Sequence, residues 1–253
     1  MKSIYCAKPN HTVGSEDGIF VRLPYNFADE AAALGAGIQD TASGFSNVVP
    51  LVDAPEHFKN IRRLSESVRI AGRLSEIKGL SENHRLMVNA IAPYSLLTTV
   101  STAKLQGWLI RCPDEVLSVL DFLSDELAWY LSALFHAGVK VVSLSDPHAQ
   151  KELLGDMRFR KFCAGSQMAL LKRLAGSVEK GVLHLCPYSF SDLEAYELIE
   201  RKEMRPVSGS YEEALLISAN QASEICIIGG QCPHTKYAKH VYYLSIQEGH
   251  KYV

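Results

Sequence analysis

Short apolar runs that alternate with amphipathic segments fill the chain from residue 86 to residue 229, and this alternation constrains the fold most. Four of the runs predict buried strands, at residues 86–92, 139–144, 181–186 and 224–229. The segments between them carry apolar residues at helical spacing, which predicts helices. Strands joined through helices pair in parallel with right-handed crossovers, so the sequence predicts an α/β fold.

Weaker patterns fill the rest of the chain. They predict strands at residues 18–23, 47–52 and 205–207, and helices at 28–34, 54–70, 113–138, 158–174, 192–200 and 211–222, with a last helix near Lys236. About six strands fall short of the eight in a closed barrel. We therefore expect a TIM-barrel-like (β/α) barrel that is shortened or incomplete, with an open doubly wound sheet as the alternative. Residues 1–253 are expected to form a single domain of this type, with 1–53 an irregular N-terminal segment.

Charge and composition exclude several function classes. The formal net charge is -2, which does not favour binding to nucleic acid. No apolar run reaches the length of a membrane span, and the start of the sequence lacks a secretory signal, so we expect a cytoplasmic protein. Six scattered cysteines in such a chain favour reduced thiols that bind metal or act in catalysis. Neither Gly-rich nucleotide-binding fingerprint occurs.

Three residues at predicted strand ends suggest a zinc site. His184 and Cys186 are two apart in one strand, so both side chains point to the same side. Cys232 follows the next apolar run in a turn that begins Gly229-Gly230. Ligands of types N, S and S suit zinc and leave a fourth position open for a substrate. The competing interpretation is that all three are ordinary buried residues, since free cysteine is often a small core side chain.

The chain also resembles a known family. His184-Leu185-Cys186 at a strand end, with a later cysteine after a strand, resembles the zinc motif of methylcobalamin:coenzyme M methyltransferases of the uroporphyrinogen decarboxylase superfamily. Residues 92–96 and 145–149 are similar to segments of the same family, and residues 184–189 are similar to cobalamin-independent methionine synthase. The resemblance covers roughly residues 86–246. The chain is shorter than these relatives, its Cys186–Cys232 segment is compressed, and the arginine-rich signature of porphyrinogen decarboxylases is absent.

The resemblance implies a methyltransferase that moves a methyl group between a corrinoid, or a small methyl donor, and a thiol or folate acceptor. Zinc is the implied cofactor, and the corrinoid would be carried by a partner protein. The alternatives are a corrinoid-, tetrapyrrole- or partner-binding module without turnover, and a decarboxylase-like lyase. A second subunit could cover the apolar edges of a partial barrel, which leaves room for a homodimer.

Other residues near the predicted strand ends are secondary candidates, each with a structural alternative. Asp146, His148 and His234 are candidates for catalysis, by contact with substrate or by orienting a ligand; an ordinary loop start or rim position would explain them equally. Tyr188 and Pro93 are candidates for lining the cofactor pocket, although an exposed aromatic in a loop is an equally good interpretation of Tyr188.

Overall fold

A seven-stranded sheet organises the protein in a computed structural model that describes residues 19–23, 27–40 and 46–247. The strands, in chain order, are β1 (Val21–Leu23), β2 (Gly37–Asp40), β3 (Ser46–Val49), β4 (Leu86–Ile91), β5 (Val141–Ser145), β6 (Gly181–Leu185), β7 (Ile199–Pro206), β8 (Ile225–Gly229) and β9 (His240–Ile246). Spatially the large sheet runs β1-β4-β5-β6-β8-β9-β7, and β2 pairs with β3 in a separate two-stranded sheet.

Five neighbouring strands of the large sheet are parallel, so their carboxyl ends meet at one edge. Strands β1, β4, β5, β6 and β8 form this parallel part. Strand β9 then pairs antiparallel with β8, and β7 pairs antiparallel with β9 at the far edge. Within the described residues the sheet stays open.

The helices are α1 (Phe27–Ala33), α2 (Val68–Ser81), α3 (Pro93–Val100), α4 (Leu105–Arg111), α5 (Pro113–His136), α6 (Lys151–Leu154), α7 (Asp156–Arg158), α8 (Gly165–Ala175), α9 (Pro187–Ala195) and α10 (Tyr211–Gln221). A 3-10 segment spans Pro55–Asn60, and a π-helical segment, Phe159–Ala164, leads into α8. Proline occupies the first helical position of α3, α5 and α9, where its missing N–H has no intrahelical partner to lose. None of the described helices is long and apolar enough to cross a membrane.

The two faces of the sheet carry different layers. Leu183 and Leu185 of β6 face the larger core, which also contains apolar residues of α2, α3, α5 and α8. Val182, which precedes Leu183, faces the opposite side and packs with Tyr211 and Leu215 of α10. Among the described helices, α10 therefore covers the face of the parallel strands on which His184 lies.

The strong patterns of the sequence are confirmed and the weak ones needed correction. Strands at 86–92, 139–144, 181–186 and 224–229 and helices at 113–138 and 211–222 are present within a few residues. The helix expected at 28–34 is α1, and it is followed by Gly35 with φ +108°. The strand expected at 18–23 is observed only as Val21–Leu23, and its first residue, Gly18, lies outside the described residues.

Three expected helices needed correction. The segment 54–70 contains the short 3-10 turn, and α2 begins only at Val68, after the N-cap Ser67 accepts a hydrogen bond from the Ile70 N–H. The expected helix 192–200 is α9, which ends at Ala195, and Ile199 begins β7. The helix expected near Lys236 is instead the strand β9, whose aromatic and β-branched residues favour extended backbone.

Candidate functional site

His184 lies inside β6 with no exposed surface, opposite Ser143 of β5 in the register of the parallel pair. Its Nδ1 atom is 2.9 Å from the Ser143 hydroxyl oxygen, and its Nε2 atom is 2.8 Å from the main-chain oxygen of Gln231. A carbonyl only accepts, so Nε2 carries the ring proton and Nδ1 accepts from Ser143. Burial lowers the pKa of His184 to about 4, which keeps the imidazole neutral.

Tyr211, the first residue of α10, covers this histidine. The two rings meet edge to face with centroids 5.7 Å apart. The Tyr211 hydroxyl donates a hydrogen bond to the Gly229 oxygen at 3.0 Å, which ties α10 to the turn that follows β8. Sequence reasoning missed both Tyr211 and Ser143, because neither stands in a recognisable spacing with His184.

Cys186 is the residue directly after β6 and the N-cap of α9, so strand and helix together fix its position. Burial raises the pKa of its thiol, and the neighbouring Cys232 acts in the same direction. The backbone N–H groups of Tyr188 and Ser189 oppose this shift, because amides at a helix N-terminus favour negative charge. The thiol is therefore protonated near neutral pH when no cation is bound.

Cys232 follows β8 through the turn Gly229-Gly230-Gln231. Gly230 has φ +106°, and a Cβ there would lie 2.6 Å from the Tyr242 ring, so this turn requires glycine. The side chain of Cys232 is partly buried, and it is close enough to influence the Cys186 thiol. The turn thus brings the second cysteine to the end of the strand that neighbours β6.

The structure places the three predicted ligands at adjacent strand ends without assembling them around one point. Throughout residues 19–23, 27–40 and 46–247, no group of three or more His, Cys, Asp or Glu side chains is arranged to hold a metal ion. The Nε2 atom of His184 faces the Gln231 oxygen, one residue before Cys232. The donor set still suits zinc chemically, since it offers one neutral imidazole and two thiols.

Asp146 is the centre of a second polar cluster, just after β5. One carboxylate oxygen accepts hydrogen bonds from both the N–H and the hydroxyl of Ser95, and the other accepts from the Gln167 amide at 2.8 Å. Burial raises the pKa of Asp146 to about 6 although these bonds lower it. Asp146 also raises the pKa of Cys186, which places the carboxylate near the candidate ligands. Sequence reasoning found Asp146 but not Ser95 or Gln167 as its partners.

The remaining predicted residues are more peripheral. The backbone N–H of His148 donates to the Ser95 hydroxyl at 2.9 Å, while its side chain is exposed. The His234 ring contacts the guanidinium of Arg22, which also pairs with Glu212 of α10. Tyr188 is 60% exposed, and Pro93 is the buried first residue of α3. A cavity of about 740 Å³ opens beside Arg22 and His234.

Comparison with known proteins identifies the family. Residues 20–203 match the sequence profile described as uroporphyrinogen decarboxylase (URO-D), which is more than half of the chain. The chain belongs to the uroporphyrinogen decarboxylase family.

Similar members of the URO-D family are methyltransferases. The chain is 26% identical over 226 residues to the methylcobamide:CoM methyltransferase MtbA of Methanosarcina mazei, a match that covers 83% of this chain and 66% of that protein. It is 29% identical over 177 residues to the methylcobamide:CoM methyltransferase MtaA of Methanosarcina barkeri, covering 66% of this chain and 50% of that protein. The chain thus spans between half and two thirds of the length of these relatives.

A solved structure of a methyltransferase from Methanosarcina mazei superimposes on this URO-D member with a TM-score of 0.52 at 20% identity. The overlap covers 69% of this chain and 53% of the other. The expected fold class is confirmed: the protein has a TIM-barrel-like α/β fold with a mostly parallel sheet that does not close in the described residues. The single-domain organisation and the roles of the site residues stay predictions.

Proposed function

We propose that this URO-D family member is a zinc-dependent methyltransferase that moves a methyl group between a corrinoid and a thiol or folate acceptor. One observation carries the proposal: His184, Cys186 and Cys232 reach adjacent strand ends in a chain that resembles methylcobamide:CoM methyltransferases. Donors of this kind, at the carboxyl ends of parallel strands, are typical of catalytic sites in barrel folds. The corrinoid would be carried by a partner protein.

The chemistry of the donors supports zinc as the cofactor. His184 would bind through Nε2, because Ser143 holds Nδ1, and Cys186 and Cys232 would bind as thiolates. Bound zinc lowers the pKa of a coordinated substrate thiol, so that a nucleophilic thiolate exists near neutral pH. Two protein thiolates and a neutral imidazole balance the charge of the cation, and an incoming substrate thiolate would therefore stay electron-rich.

Asp146 is the group best suited to receive the proton that an acceptor thiol releases. Its pKa of about 6 leaves the carboxylate mostly ionised near neutral pH and still able to take up a proton. Ser95 and Gln167 hold both of its oxygens from the protein side. We therefore propose Asp146 as the proton acceptor and Ser95 and Gln167 as the residues that orient it.

A second candidate function is a binding module that holds a corrinoid, a tetrapyrrole or a partner without turnover. The complete burial of His184 favours it, because a metal ion at Nε2 would be covered by Tyr211 and by the turn that carries Gln231, which would limit access of a substrate to the metal. The two candidates differ in whether methyl transfer accompanies metal binding.

Metal analysis tests the zinc site. Freshly purified protein is expected to contain about one zinc per chain, as for a site with a single set of ligands. His184→Ala and Cys232→Ser should lose the metal. Cys226→Ser is the matched control, since this thiol lies on β8 and donates to the Gly181 oxygen, and it should keep the zinc. Wild-type protein free of zinc, even after incubation with excess zinc, would rule out the proposed cofactor.

A methyl-transfer assay separates the two candidates. Demethylation of methylcobalamin is followed by its change in visible absorbance, with a panel of small thiols and with tetrahydrofolate as acceptors. The methyltransferase proposal expects turnover with at least one acceptor, and Asp146→Asn should slow it while the zinc content stays constant. Zinc binding without turnover on any acceptor, with methylcobalamin free or carried by a corrinoid protein, would support the binding module instead.

A further inference from the structure

We infer that Ser143 is a positioning residue for His184, which holds the imidazole so that Nε2 faces the turn bearing Cys232. The inference rests on the proposed function in one respect, because the consequence for metal affinity requires that zinc binds. Ser143 has no ionisable group and lies on β5, the strand next to β6, which carries His184.

The contact is fixed by the sheet itself. Ser143 and His184 are direct register partners on β5 and β6, and their side chains emerge on the same face. The hydroxyl oxygen lies 2.9 Å from Nδ1, and Ser143 is only 7% exposed. Water therefore has little access to compete for Nδ1, and rotation of the ring would leave a buried nitrogen without its partner.

A hydroxyl suits both states of the ring. Without metal, Nε2–H donates to the Gln231 oxygen and Nδ1 accepts from Ser143. When a cation takes Nε2, that nitrogen gives up its proton, and the neutral ring must carry a proton on Nδ1. The Ser143 oxygen can then accept from Nδ1–H, whereas a carbonyl or carboxylate could serve only this second state. Ser143 thus keeps the ring in one orientation while the proton changes nitrogen.

Nitrogen NMR tests the orientation in metal-free protein. In ¹⁵N-histidine-labelled protein, with the His184 signals assigned by their loss in His184→Gln, we expect the Nε2–H tautomer without metal and the Nδ1–H tautomer after zinc is added. In the metal-free protein Ser143→Ala should keep the Nε2–H tautomer, because Nε2–H still donates to the Gln231 oxygen, but the Nδ1 resonance should shift as this nitrogen loses its hydrogen bond. A metal-free wild type in the Nδ1–H form, or a Ser143→Ala spectrum identical to wild type, would overturn the inference.

Zinc affinity, measured by competition with a chromophoric chelator, tests the consequence. Ser143→Ala should weaken binding about 10- to 100-fold, the usual effect of removing the partner of a ligating histidine. Ser143→Thr keeps the hydroxyl and should restore most of the affinity. Ser145→Ala, two residues further along β5, is the matched control and should bind as wild type.

The outcomes separate the inference from the proposed function. Thermal unfolding of each variant shows whether a loss of affinity follows from a loss of structure. If wild type binds zinc and folded Ser143→Ala binds it equally well, the inference is wrong and the proposed function stands. If wild type binds no zinc, the proposed function fails, and the NMR spectra alone decide whether Ser143 holds the ring.

Discussion

Replacing Asp146 with asparagine should stabilise the protein near neutral pH, in a way that depends on pH. Burial raises the pKa of this carboxyl from its ordinary value of 3.8 to about 6. The folded protein therefore holds the proton more tightly than the unfolded chain. The stability linked to Asp146 is fully present below pH 3.8 and is lost as the pH rises through 6. Above that pH the ionised carboxylate lowers the free energy of unfolding.

The size of this cost follows from the shift. A difference of this size corresponds to about 3 kcal/mol at full ionisation. Asp146 retains some exposed surface, however, so solvent screening should reduce the cost to about 1 to 2 kcal/mol. The asparagine also changes one hydrogen bond, because its amide nitrogen would meet the Gln167 amide unless Gln167 turns its oxygen inward. This second effect does not depend on pH.

Urea unfolding of wild type and Asp146→Asn at several pH values isolates the charge effect. The advantage of the variant should shrink by about 1 kcal/mol between pH 8 and pH 5, where the wild-type carboxyl takes up its proton. Asp156→Asn is the control, because Lys151 lowers the pKa of this exposed carboxyl and the pH trend should not have the same sign. A constant difference between Asp146→Asn and wild type across this range would refute the reasoning.

Three further predictions concern stability, each measured as the free energy of unfolding in urea. Ser210→Ala removes the capping box of α10 and should cost about 1 kcal/mol, while Ser208→Ala, just before it, should cost nothing measurable; equal effects would be contrary to the capping argument. Tyr211→Phe should cost about 1 to 3 kcal/mol, since it removes the buried hydrogen bond to the Gly229 oxygen, and no loss would mean that this bond is unimportant. Gly138→Ala should destabilise, because φ is +96° and the new Cβ would lie 2.5 Å from a serine oxygen, whereas Gly72→Ala, in open space on α2, should stabilise by about 0.5 to 1 kcal/mol; the reverse order would contradict the local geometry.

The parallel part of the fold was predictable because its signals are local. Residues 86–91 and 181–185 are short apolar runs buried on both faces, and such runs identify central strands. Helix α5 is predicted by Pro113 at its start and by a long stripe of apolar residues along one face. Strand β7 carries no such signal, since its residues are mostly exposed and five of its eight side chains are charged, as suits the edge of a sheet.

The site was only partly predictable, because its contacts depend on distant parts of the chain. His184 and Cys186 could be found from their spacing in one strand. The partner of Nδ1 is Ser143, 41 residues away, and it becomes a neighbour only through the register of β5 and β6. Tyr211 packs on His184 because α10 lies on the face of the sheet away from the larger core. The amphipathic pattern of α10 shows which side of the helix is buried, but it does not show which face of the sheet the helix covers.

The path of the chain between Cys186 and Cys232 explains how the two cysteines reach neighbouring strand ends. This segment contains α9, β7, α10 and β8, so a strand between β6 and β8 would be expected from chain order alone. Strand β7 instead pairs with β9 at the far edge of the sheet, so β6 and β8 are direct neighbours. Each cysteine then follows one of two adjacent parallel strands, and Gly230 allows the second turn to fold back toward the first. The segment therefore holds the two thiols at neighbouring strand ends, and α10 within it covers His184 through Tyr211.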